Sequence, residues 1–487
     1  MNDDPRGRSR RGGRPASRSG DRPRSAPRSP RNEPADPARR AALDLLRAVA
    51  DRDAYANLVL PGLLRERGLT GRDAAFATEL GYGTLRAQGT YDAVLAACVD
   101  RPLEKLDPGV VEVLRLGAHQ LLGLQTPPHA AVSATVALCR AAVGPGPAGL
   151  VNAVLRKVSA RDLDAWVTEL GPARDADPAG HLALRHAHPR WVISAVADAL
   201  GAGGRADWDE VEAALAANNA PPRVTLVARP GRATVDDLVA TGAQAAPYSR
   251  VGAILPGGDP GGLALVRSGA AGVQDEGSQL VTLALADAPL DGPDARWLDL
   301  CAGPGGKAAL LAGLAGERGA RLVAAEVAPH RARLVAAALG SERAAAPVVA
   351  DGRAPAWPAD TFDRVLVDAP CTGLGALRRR PESRWRREPG DVGRLFDLQR
   401  ELLLSAIGSA RPGGLIAYVT CSPHPGETRG VVAAAVADSA RAGRPVEPVD
   451  ARPLLPGVPD LADGPHVQLW PHRHGTDAMF LALLRRV

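Results

Sequence analysis

The fold of this 487-residue chain is decided by one stretch, Trp-Leu-Asp-Leu-Cys-Ala-Gly-Pro-Gly-Gly-Lys at residues 297–307. Its apolar beginning predicts a buried strand that ends near Asp299, and the glycines that follow predict a loop whose backbone can approach a ligand closely. A strand, a glycine-rich loop and a helix in this order are typical of α/β domains that bind nucleotide-like cofactors. The loop alone is a weak signal, because a nicotinamide-dependent dehydrogenase could carry it.

Around this stretch, short apolar segments alternate with helical ones from about residue 273 to the end of the chain. The pattern predicts strands at 296–300, 321–326, 347–351, 363–368, 414–420, 466–470 and 478–484. It predicts helices near 306–316, 328–339, 391–411 and 427–440. Such alternation indicates a mostly parallel sheet with helices on both faces and a ligand crevice at the carboxyl ends of the strands.

The region before residue 273 has a different organisation. Residues 1–35 are rich in Arg, Ser, Pro and Gly, which predicts a disordered tail. Residues 36–160 carry helical apolar stripes, for example Ala42, Leu45, Leu46 and Val49 after a capping Asp36, and predict an all-helical bundle. The pattern of residues 161–272 predicts a small α+β subdomain that connects the bundle to the rest of the chain, here called the connector. The chain is therefore predicted to be multidomain: tail, helical bundle, connector, and a Rossmann-like α/β domain at 273–487.

Composition narrows the cellular setting. The net charge is +5, but ten arginines and three aspartates in residues 1–31 leave the remainder close to −2, so the excess positive charge lies in the tail. Five cysteines without a Cys-x-x-Cys pair do not form a disulfide framework, and no residue cluster has the spacing of a metal site. The sequence shows neither a signal peptide nor a run of about twenty apolar residues. We therefore expect a cytoplasmic protein with no membrane segment.

Two further carboxylates sharpen the meaning of the glycine loop. Glu326 is expected at the end of the second strand, where an acid can accept both ribose hydroxyls. Asp351 is expected at the end of the third strand, where it can accept from an adenine amine. With Asp299, these acids at successive strand ends describe an adenosine pocket, although each alone could be a helix cap or a surface charge.

The fourth and fifth strands each run into a cysteine motif. Asp368 precedes Pro370-Cys371, and the last predicted strand of the parallel set runs into Cys421. Two thiols at neighbouring strand ends suit methylation of C5 of a cytosine, since a thiolate that adds to C6 makes C5 electron-rich. Asp368 is the candidate for stabilising the adduct at N3 and the exocyclic amine, and Lys307 can orient it or the base. The residues alone do not rank the two thiols.

Basic residues cluster directly after the Cys371 motif. Residues 378–387, here called the arginine segment, contain six arginines and one tryptophan. Guanidinium groups for phosphates and a ring for stacking would suit RNA with an exposed base, although a solvated basic loop would look the same. The predicted RNA contacts are Arg378, Arg379, Arg380, Arg384 and Trp385.

At these motifs the chain resembles the RsmB (Sun, Fmu) family of 16S rRNA cytosine-5 methyltransferases. The resemblance rests on the strings at 274–279, 299–307, 351–353, 368–373, 380–382 and 420–422, and for the NusB-like RNA-binding domain on those at 38–46, 73–86 and 149–157. It covers nearly everything from residue 36 to 487. It implies methyl transfer from S-adenosylmethionine to C5 of a cytosine in 16S ribosomal RNA, the family's usual target being cytosine 967.

The resemblance also implies roles for single residues. Cys421 would be the nucleophile and Cys371 would assist release of the methylated RNA. The residues implied for the cofactor pocket are Cys301, Ala302, Gly303, Pro304, Gly305, Gly306, Lys307, Glu326, Arg331, Asp351 and Asp368. The expected partner is 16S rRNA or a small-subunit assembly intermediate, bound by a monomer.

Several alternatives stay open from the sequence. The Pro370-Cys371 dipeptide looks like the nucleophile motif of DNA cytosine methyltransferases, so the two thiol roles could be reversed. Transfer RNA or another rRNA site could be the substrate, because such enzymes share the catalytic motifs. A dehydrogenase would explain the glycine loop but not the thiols. A non-catalytic NusB-like RNA-binding factor would explain the bundle but not the second half of the chain.

Overall fold

The computed structural model describes residues 36–52, 54–201 and 207–487. The predicted N-terminal tail lies outside the described residues. No helix in the described ranges is both long enough and apolar enough to cross a membrane.

Helices make up most of the first half of the chain and alternate with strands in the second. The described α-helices are α1 (Pro37–Arg52), α2 (Ala56–Glu66), α3 (Gly71–Arg86), α4 (Gln88–Cys98), α5 (Pro108–Ala118), α6 (Pro128–Ala142), α7 (Ala148–Val158), α8 (Leu163–Leu170), α9 (Pro178–His186), α10 (Arg190–Leu200), α11 (Trp208–Asn219), α12 (Val235–Val239), α13 (Ala264–Arg267), α14 (Glu276–Asp287), α15 (Gly306–Glu317), α16 (Pro329–Leu339), α17 (Ser383–Arg386), α18 (Pro389–Ser409), α19 (Arg429–Arg441) and α20 (Pro471–His474). The strands are β1 (Val224–Ala228), β2 (Gln244–Ala245), β3 (Gly252–Leu255), β4 (Ala271–Val273), β5 (Arg296–Asp299), β6 (Arg321–Glu326), β7 (Ala345–Val349), β8 (Phe362–Asp368), β9 (Ala410–Thr420), β10 (Val446–Val449), β11 (Val467–Gln468) and β12 (Phe480–Arg486).

Helices α1–α7, the helical bundle, fold around one apolar core. The stripe predicted for α1 is buried, with Leu45 fully inaccessible to solvent. The Asp36 side chain accepts from the Arg39 N–H at 2.8 Å, so the predicted cap forms. The Asp107 side chain caps α5 in the same way by accepting from the Val110 N–H at 3.3 Å. The bundle owes its stability mainly to burial of these stripes, as amphipathic helices do.

The connector combines helices with a small sheet. Helices α8–α11 come first, and α10 begins directly after His188-Pro189. The sheet that follows has the order β2-β3-β1-β4, with all three pairings antiparallel. Its core is separate from that of the bundle and centres on Leu226 and Leu238.

The C-terminal sheet has the strand order β10-β12-β9-β8-β5-β6-β7, with β11 pairing to β12. The five strands from β9 to β7 are parallel, whereas β12 runs antiparallel to β9. Trp297 packs on the face covered by α14 and α15, and its neighbour Leu298 packs on the face covered by α18 and α19. The chain order reverses between β5 and β8, which is where doubly wound sheets open a ligand crevice.

Element boundaries differ from the sequence prediction at three places. β7 ends at Val349, so Asp351 lies two residues beyond the strand. Helix α18 ends at Ser409, and β9 begins at once with Ala410, although Pro412 and two glycines suggested a break there. An irregularity in the pairing of β8 with β9 absorbs that segment, and Gly413 adopts a positive φ of 79°. The short strand β10 was not predicted.

Candidate active site

A cavity of about 620 Å³ opens at the carboxyl ends of the central strands. Most of the predicted site residues line it, namely Cys301, Gly303, Pro304, Glu326, Arg331, Asp351, Asp368, Cys371, Arg380 and Cys421. Ala302, Gly305, Gly306 and Lys307 do not line it and lie in the loop and first turn behind its wall. The cavity also receives Tyr55, which precedes α2 of the helical bundle.

The glycine loop is shaped by close backbone contacts. Gly305 has a φ of 113°, a conformation that residues with a Cβ rarely adopt, and helix α15 begins at the next residue. A Cβ on Gly303 would collide with the Glu326 carboxylate. Glu326 accepts from the Gly303 N–H at 3.1 Å and the Ala328 N–H at 3.0 Å, and Arg331 donates to the Gly303 carbonyl at 2.7 Å. Glu326 therefore holds the loop in place while it faces the cavity.

The two remaining predicted acids of the adenosine pocket are in contrasting environments. Asp351 is partly exposed and bound by its neighbour Arg353, whose Nη2 donates to Oδ2 at 2.8 Å; these hydrogen bonds lower the pKa of Asp351. Asp299 is fully buried, and neither of its oxygens reaches hydrogen-bonding geometry with a described residue. Burial, with a smaller contribution from the nearby Asp368, raises the pKa of Asp299 to about 8.

Lys307 and Asp368 form the charged centre of the site. The Lys307 Nζ lies 2.8 Å from Asp368 Oδ2, and the lysine side chain is largely buried. Although burial alone would lower the pKa of Lys307, Asp368 raises it above its usual value, so the ammonium stays charged. The pair sits between the cofactor loop and Cys421, since Lys307 interacts electrostatically with both Asp299 and Cys421.

The two thiols that follow β8 and β9 are in direct contact. Cys371 Sγ and Cys421 Sγ are 3.4 Å apart and both cysteines are free. A hydrogen bond from the Cys371 thiol lowers the pKa of Cys421, and Lys307 adds to this effect, whereas burial and Asp368 oppose it. The same hydrogen bond and burial raise the pKa of Cys371. Of the two sulfurs, Cys421 is thus the one that the site favours as a thiolate.

Sequence reasoning missed a residue that connects both thiol loops. Glu427 is fully buried, and its carboxylate accepts from the Thr372 N–H at 2.7 Å and the Thr372 hydroxyl, next to Cys371. It also accepts from the Ser422 hydroxyl at 2.6 Å, next to Cys421, and from Gln399 of α18 at 3.2 Å. One carboxylate therefore fixes the two loops relative to each other. Its only signal in the sequence is a glutamate six residues after Cys421, which is not distinctive.

The arginine segment corrects part of the predicted RNA-binding set. Arg378 and Arg379 each bind both Asp275 and Asp477; for Arg378 the distances are 2.9 and 2.8 Å. These four side chains are mostly buried, and the aspartates come from about one hundred residues away on either side. Arg378 and Arg379 are consequently structural ion-pair partners, because their guanidinium groups are already engaged by carboxylates.

Arg384 and Trp385 dock the arginine segment on the first half of the chain. Arg384 is fully buried and donates to the carbonyl of Arg86 at 3.1 Å, the carbonyl of Ala187 at 3.1 Å and Oδ1 of Asn219 at 2.8 Å. It is therefore also a structural residue. The Trp385 ring packs so closely on Gly89 that a Cβ there would overlap it, although 38% of Trp385 remains exposed. Of the predicted RNA contacts, only Arg380 lines the cavity.

The residues at the strand ends fit a cationic, adenosine-containing cofactor. The cavity wall carries three carboxylates, and the buried Asp299 behind it has two oxygens without partners in the described structure. Such orphaned acceptors are costly unless a donor completes them. The side chains of Glu326 and Arg331 leave no space for a side chain at Gly303. Each of the three cavity carboxylates is paired with a basic side chain, so the match with the ligand lies in hydrogen bonding: a ligand with several donors suits these acceptor oxygens. Within the described residues, no group of three His, Cys, Asp or Glu is placed to hold a metal ion.

Comparison with known proteins agrees with this site. The family model described as 16S rRNA methyltransferase RsmB/F matches residues 286–485, and the NusB family model matches residues 36–160. The ribosomal RNA small subunit methyltransferase B of Pseudomonas putida is 34% identical over 411 residues, which cover 82% of this chain and 88% of that protein. This chain belongs to the RsmB methyltransferase family.

Other relatives extend the RsmB assignment along the chain. A putative methyltransferase of Mycobacterium tuberculosis, Rv1407, is 56% identical over 467 residues, covering 96% of this chain and 99% of that protein. Among solved structures, PH0851 superposes with a TM-score of 0.74 at 23% identity, covering 92% of this chain and 98% of its own. NSun6 from Pyrococcus horikoshii, solved with SFG, gives a TM-score of 0.50 at 18% identity, covering 61% and 98%. At these identities the structures support the fold alone.

Membership of the RsmB family confirms two predictions from the sequence. The predicted NusB-like helical bundle and the predicted α/β methyltransferase fold are both present. As a member of a family of S-adenosylmethionine-dependent RNA methyltransferases, the chain has the matching cofactor loop and strand ends.

Proposed function

We propose that this chain methylates C5 of a cytosine in 16S ribosomal RNA through a covalent bond between Cys421 and C6 of the base. The observation that carries the proposal is the contact between the two sulfurs, 3.4 Å apart, beside the Lys307–Asp368 ion pair. A methyltransferase that acts on a nucleophilic oxygen or nitrogen has no need of a thiol, whereas C5 of cytosine requires activation at C6.

S-adenosylmethionine would supply an electrophilic methyl group on a sulfonium centre. We infer that Gly303, Pro304, Glu326 and Asp351 bind its adenosine part and that the buried Asp299 completes its donors from behind the loop. Lys307 holds Asp368 in place through their ion pair. The carboxylate oxygens at the strand ends would accept hydrogen bonds from the cofactor.

The base would be activated as follows. The Cys421 thiolate forms a bond to C6, and the electron pair of the C5–C6 double bond moves towards C5 and N3. Asp368 stands close enough to Cys421 to influence its pKa, which suits contact with N3 and the exocyclic amine of the base. The electron-rich C5 would take the methyl group as the bond between that methyl and the sulfonium sulfur breaks, which leaves a neutral thioether. A base would then remove the C5 proton, the C5–C6 double bond would re-form and the Cys421–C6 bond would break.

The hydrogen bond between the thiols supports distinct roles for them. Cys371 keeps its proton while Cys421 ionises, so Cys371 can act in the later steps, where the sulfur of Cys421 leaves. Cys371 would assist release by donating its proton to the Cys421 sulfur as the Cys421–C6 bond breaks. The resemblance to RNA cytosine-5 methyltransferases and the electrostatics of the site both favour Cys421 as the nucleophile. The reverse assignment, with Cys371 as the nucleophile, is less favoured.

The substrate proposal draws on the relatives. The Pseudomonas putida protein is named for the small ribosomal subunit, and we propose 16S rRNA as the substrate here, with the family's cytosine 967 as the first site to examine. Transfer RNA or another rRNA cytosine is the alternative. The enzyme would act as a monomer in the cytoplasm, on free rRNA or on an assembling subunit.

Two cysteine variants test the covalent mechanism. Cys421→Ala should abolish methyl incorporation into in vitro transcribed 16S rRNA and should form no complex that survives denaturing electrophoresis. Cys371→Ala should accumulate such a complex, because release is slowed. Cys139→Ala, which removes a buried cysteine of the helical bundle, is the matched control and should retain activity.

The reverse pattern between the two variants would overturn the thiol assignment. Full activity of Cys421→Ala would refute covalent catalysis by this residue. Bisulfite sequencing of rRNA from a deletion strain would identify the target, and binding of labelled S-adenosylmethionine but not NAD would separate the enzyme from a dehydrogenase.

A further inference from the structure

A second hollow of about 340 Å³ adjoins the catalytic cavity. It is lined by Tyr55, Ser383, Arg386 and Arg387, and three of these, Tyr55, Ser383 and Arg387, also line the catalytic cavity. Two guanidinium groups thus face the hollow, and no carboxylate of a described residue lines it. Its lining differs from that of the catalytic cavity, where Glu326, Asp351 and Asp368 stand beside the arginines.

The Tyr55 ring organises the arginines around it. The Arg380 guanidinium carbon lies 4.8 Å from the ring centroid, and that of Arg386 lies 5.5 Å away. A cation–π contact of this kind holds a guanidinium in one orientation, and its N–H groups stay available in the plane of the guanidinium. Tyr55 is 36% exposed, so the cluster faces solvent as well as the cavity.

Two of the arginines have uncommitted guanidinium groups. In the described part of the chain, neither Arg380 nor Arg387 forms a side-chain hydrogen bond or an ion pair, in contrast to the engaged Arg378 and Arg384. The Ser383 hydroxyl likewise has no partner among described groups. Arg380 is held over the Tyr55 ring without being neutralised, and Arg387 borders both cavities with its guanidinium unpaired among the described residues, so both can bind a phosphate.

Tyr55 is itself fixed to the arginine segment by its neighbour. The Ala56 N–H donates to Glu382 Oε1 at 3.1 Å, in a buried contact between the helical bundle and the arginine segment. Tyr55 therefore lies at the cavity because a buried contact fixes the adjacent residue to the arginine segment. The helical bundle contributes a side chain to the cavity in which the two thiols lie.

We propose that this hollow binds the backbone phosphate of the nucleotide adjacent to the target cytosine, through Arg387, Arg380 and the Ser383 hydroxyl, with Tyr55 as a positioning residue. The inference rests on the proposed function, because it requires a single RNA strand to enter the catalytic cavity. A strand whose base lies at Cys421 must continue on both sides of that base, and the adjoining hollow offers one of the two directions a basic path out of the cavity. The bundle would then help to place the target rather than act only as a distant tether.

Steady-state kinetics with in vitro transcribed 16S rRNA test the proposal. Arg387→Ala and Tyr55→Ala should each raise KM for RNA by about tenfold, with kcat within about twofold and KM for S-adenosylmethionine unchanged. Tyr55→Phe should behave as wild type, because the ring is retained. Loss of one phosphate contact to a single strand should also reduce the slope of log affinity against log salt by about 0.7 for Arg387→Ala.

The matched control is Arg441→Ala, which removes an arginine whose side chain is 73% exposed on α19 and does not line either cavity. It should leave KM and the salt slope unchanged. If Arg441→Ala and Arg387→Ala have equal effects, the effect of Arg387 is one of general surface charge and the proposal is overturned. Unchanged RNA affinity of Arg387→Ala would also overturn it.

Filter binding of the same RNA without cofactor keeps the two proposals separable. If wild type binds RNA but does not methylate it, the proposed function fails while the hollow is still tested by the affinities of the variants. If wild type methylates RNA and the variants bind it as tightly as wild type does, the proposed phosphate site is refuted and the proposed function stands.

Discussion

Replacement of Glu427 with alanine should loosen both thiol-bearing loops at once. The Glu427 carboxylate is fully buried and accepts four hydrogen bonds, two from Thr372, one from Ser422 and one from Gln399. Hydrogen bonds to a charged group contribute about 1.5–3 kcal/mol each, and a buried donor left without a partner costs about 1–3 kcal/mol. Some of this loss is recovered by relaxation and by water entering the space.

We therefore expect Glu427→Ala to lower the free energy of unfolding by about 3–5 kcal/mol. Glu427→Gln should cost only about 1–2 kcal/mol, because its amide oxygen can accept from the Thr372 N–H and its amide group can donate to hydroxyls that are free to rotate. Glu447→Ala, at an exposed glutamate of β10, is the control and should change stability by less than about 0.5 kcal/mol.

The catalytic effect should exceed the effect on stability. A displacement of about 1 Å between reacting groups can reduce a rate about 100-fold, and Glu427 is what connects the loops of Cys371 and Cys421. Urea unfolding would measure stability, and methyl transfer at a temperature where circular dichroism shows each variant folded would measure kcat. We expect kcat to fall by at least about tenfold in Glu427→Ala, with KM for RNA unchanged. The reasoning is refuted if Glu427→Ala stays within about 1 kcal/mol of wild type or keeps its full kcat.

Two further predictions concern titration in the site. Because the pKa of Cys421 is lowered and that of Cys371 is raised, iodoacetamide at mildly acidic pH should alkylate Cys421 first, which peptide mass spectrometry would detect. Lys307→Met should slow the alkylation of Cys421. Preferential alkylation of Cys371 would contradict the assignment of the thiolate to Cys421. Asp299 has a pKa of about 8 in the folded cofactor-free chain, so it should be protonated there at pH 7. The unfolded chain releases this proton near pH 4, so the free energy of unfolding should fall as the pH rises from about 4 to 8, by up to about 1.4 kcal/mol per pH unit. Asp299→Asn should remove this loss in urea titrations at pH 5 and 8 and weaken binding of S-adenosylmethionine; identical pH dependence of variant and wild type would show that Asp299 does not titrate there.

Placement of the site at the strand ends could be predicted because it follows from local patterns. An apolar run that ends in Asp299 or Asp368 and continues into a loop needs only a parallel sheet to bring the loops together. The same reasoning placed Cys371 and Cys421 at adjacent strands, and the structure places their sulfurs in contact. Asp351 was predicted less well, since the edge strand before it ends two residues earlier than its apolar pattern suggested.

The partners of charged residues could not be predicted in this way. In the sequence, the arginine segment is a basic patch, and nothing local distinguishes Arg378 from Arg387. The distinction comes from Asp275 and Asp477, which reach Arg378 from distant parts of the chain. Tyr55 reaches the cavity for a similar reason, because the bundle and the arginine segment meet through a tertiary contact at Glu382.

The internal ion pairs also explain why a basic segment follows the Cys371 motif. Between the two lies Gly375, whose N–H donates to the Cys421 carbonyl at 2.9 Å and whose carbonyl accepts from the Ala478 N–H at 2.9 Å. Arg378, three residues later, binds Asp477, next to Ala478, so the same strip of chain is fixed at two neighbouring points. Arg378 therefore anchors the strip of chain whose Gly375 N–H donates to the Cys421 carbonyl. Loss of activity in an Arg378 variant would consequently report on the geometry of the site, whereas Arg387, with no such partner, reports on the RNA.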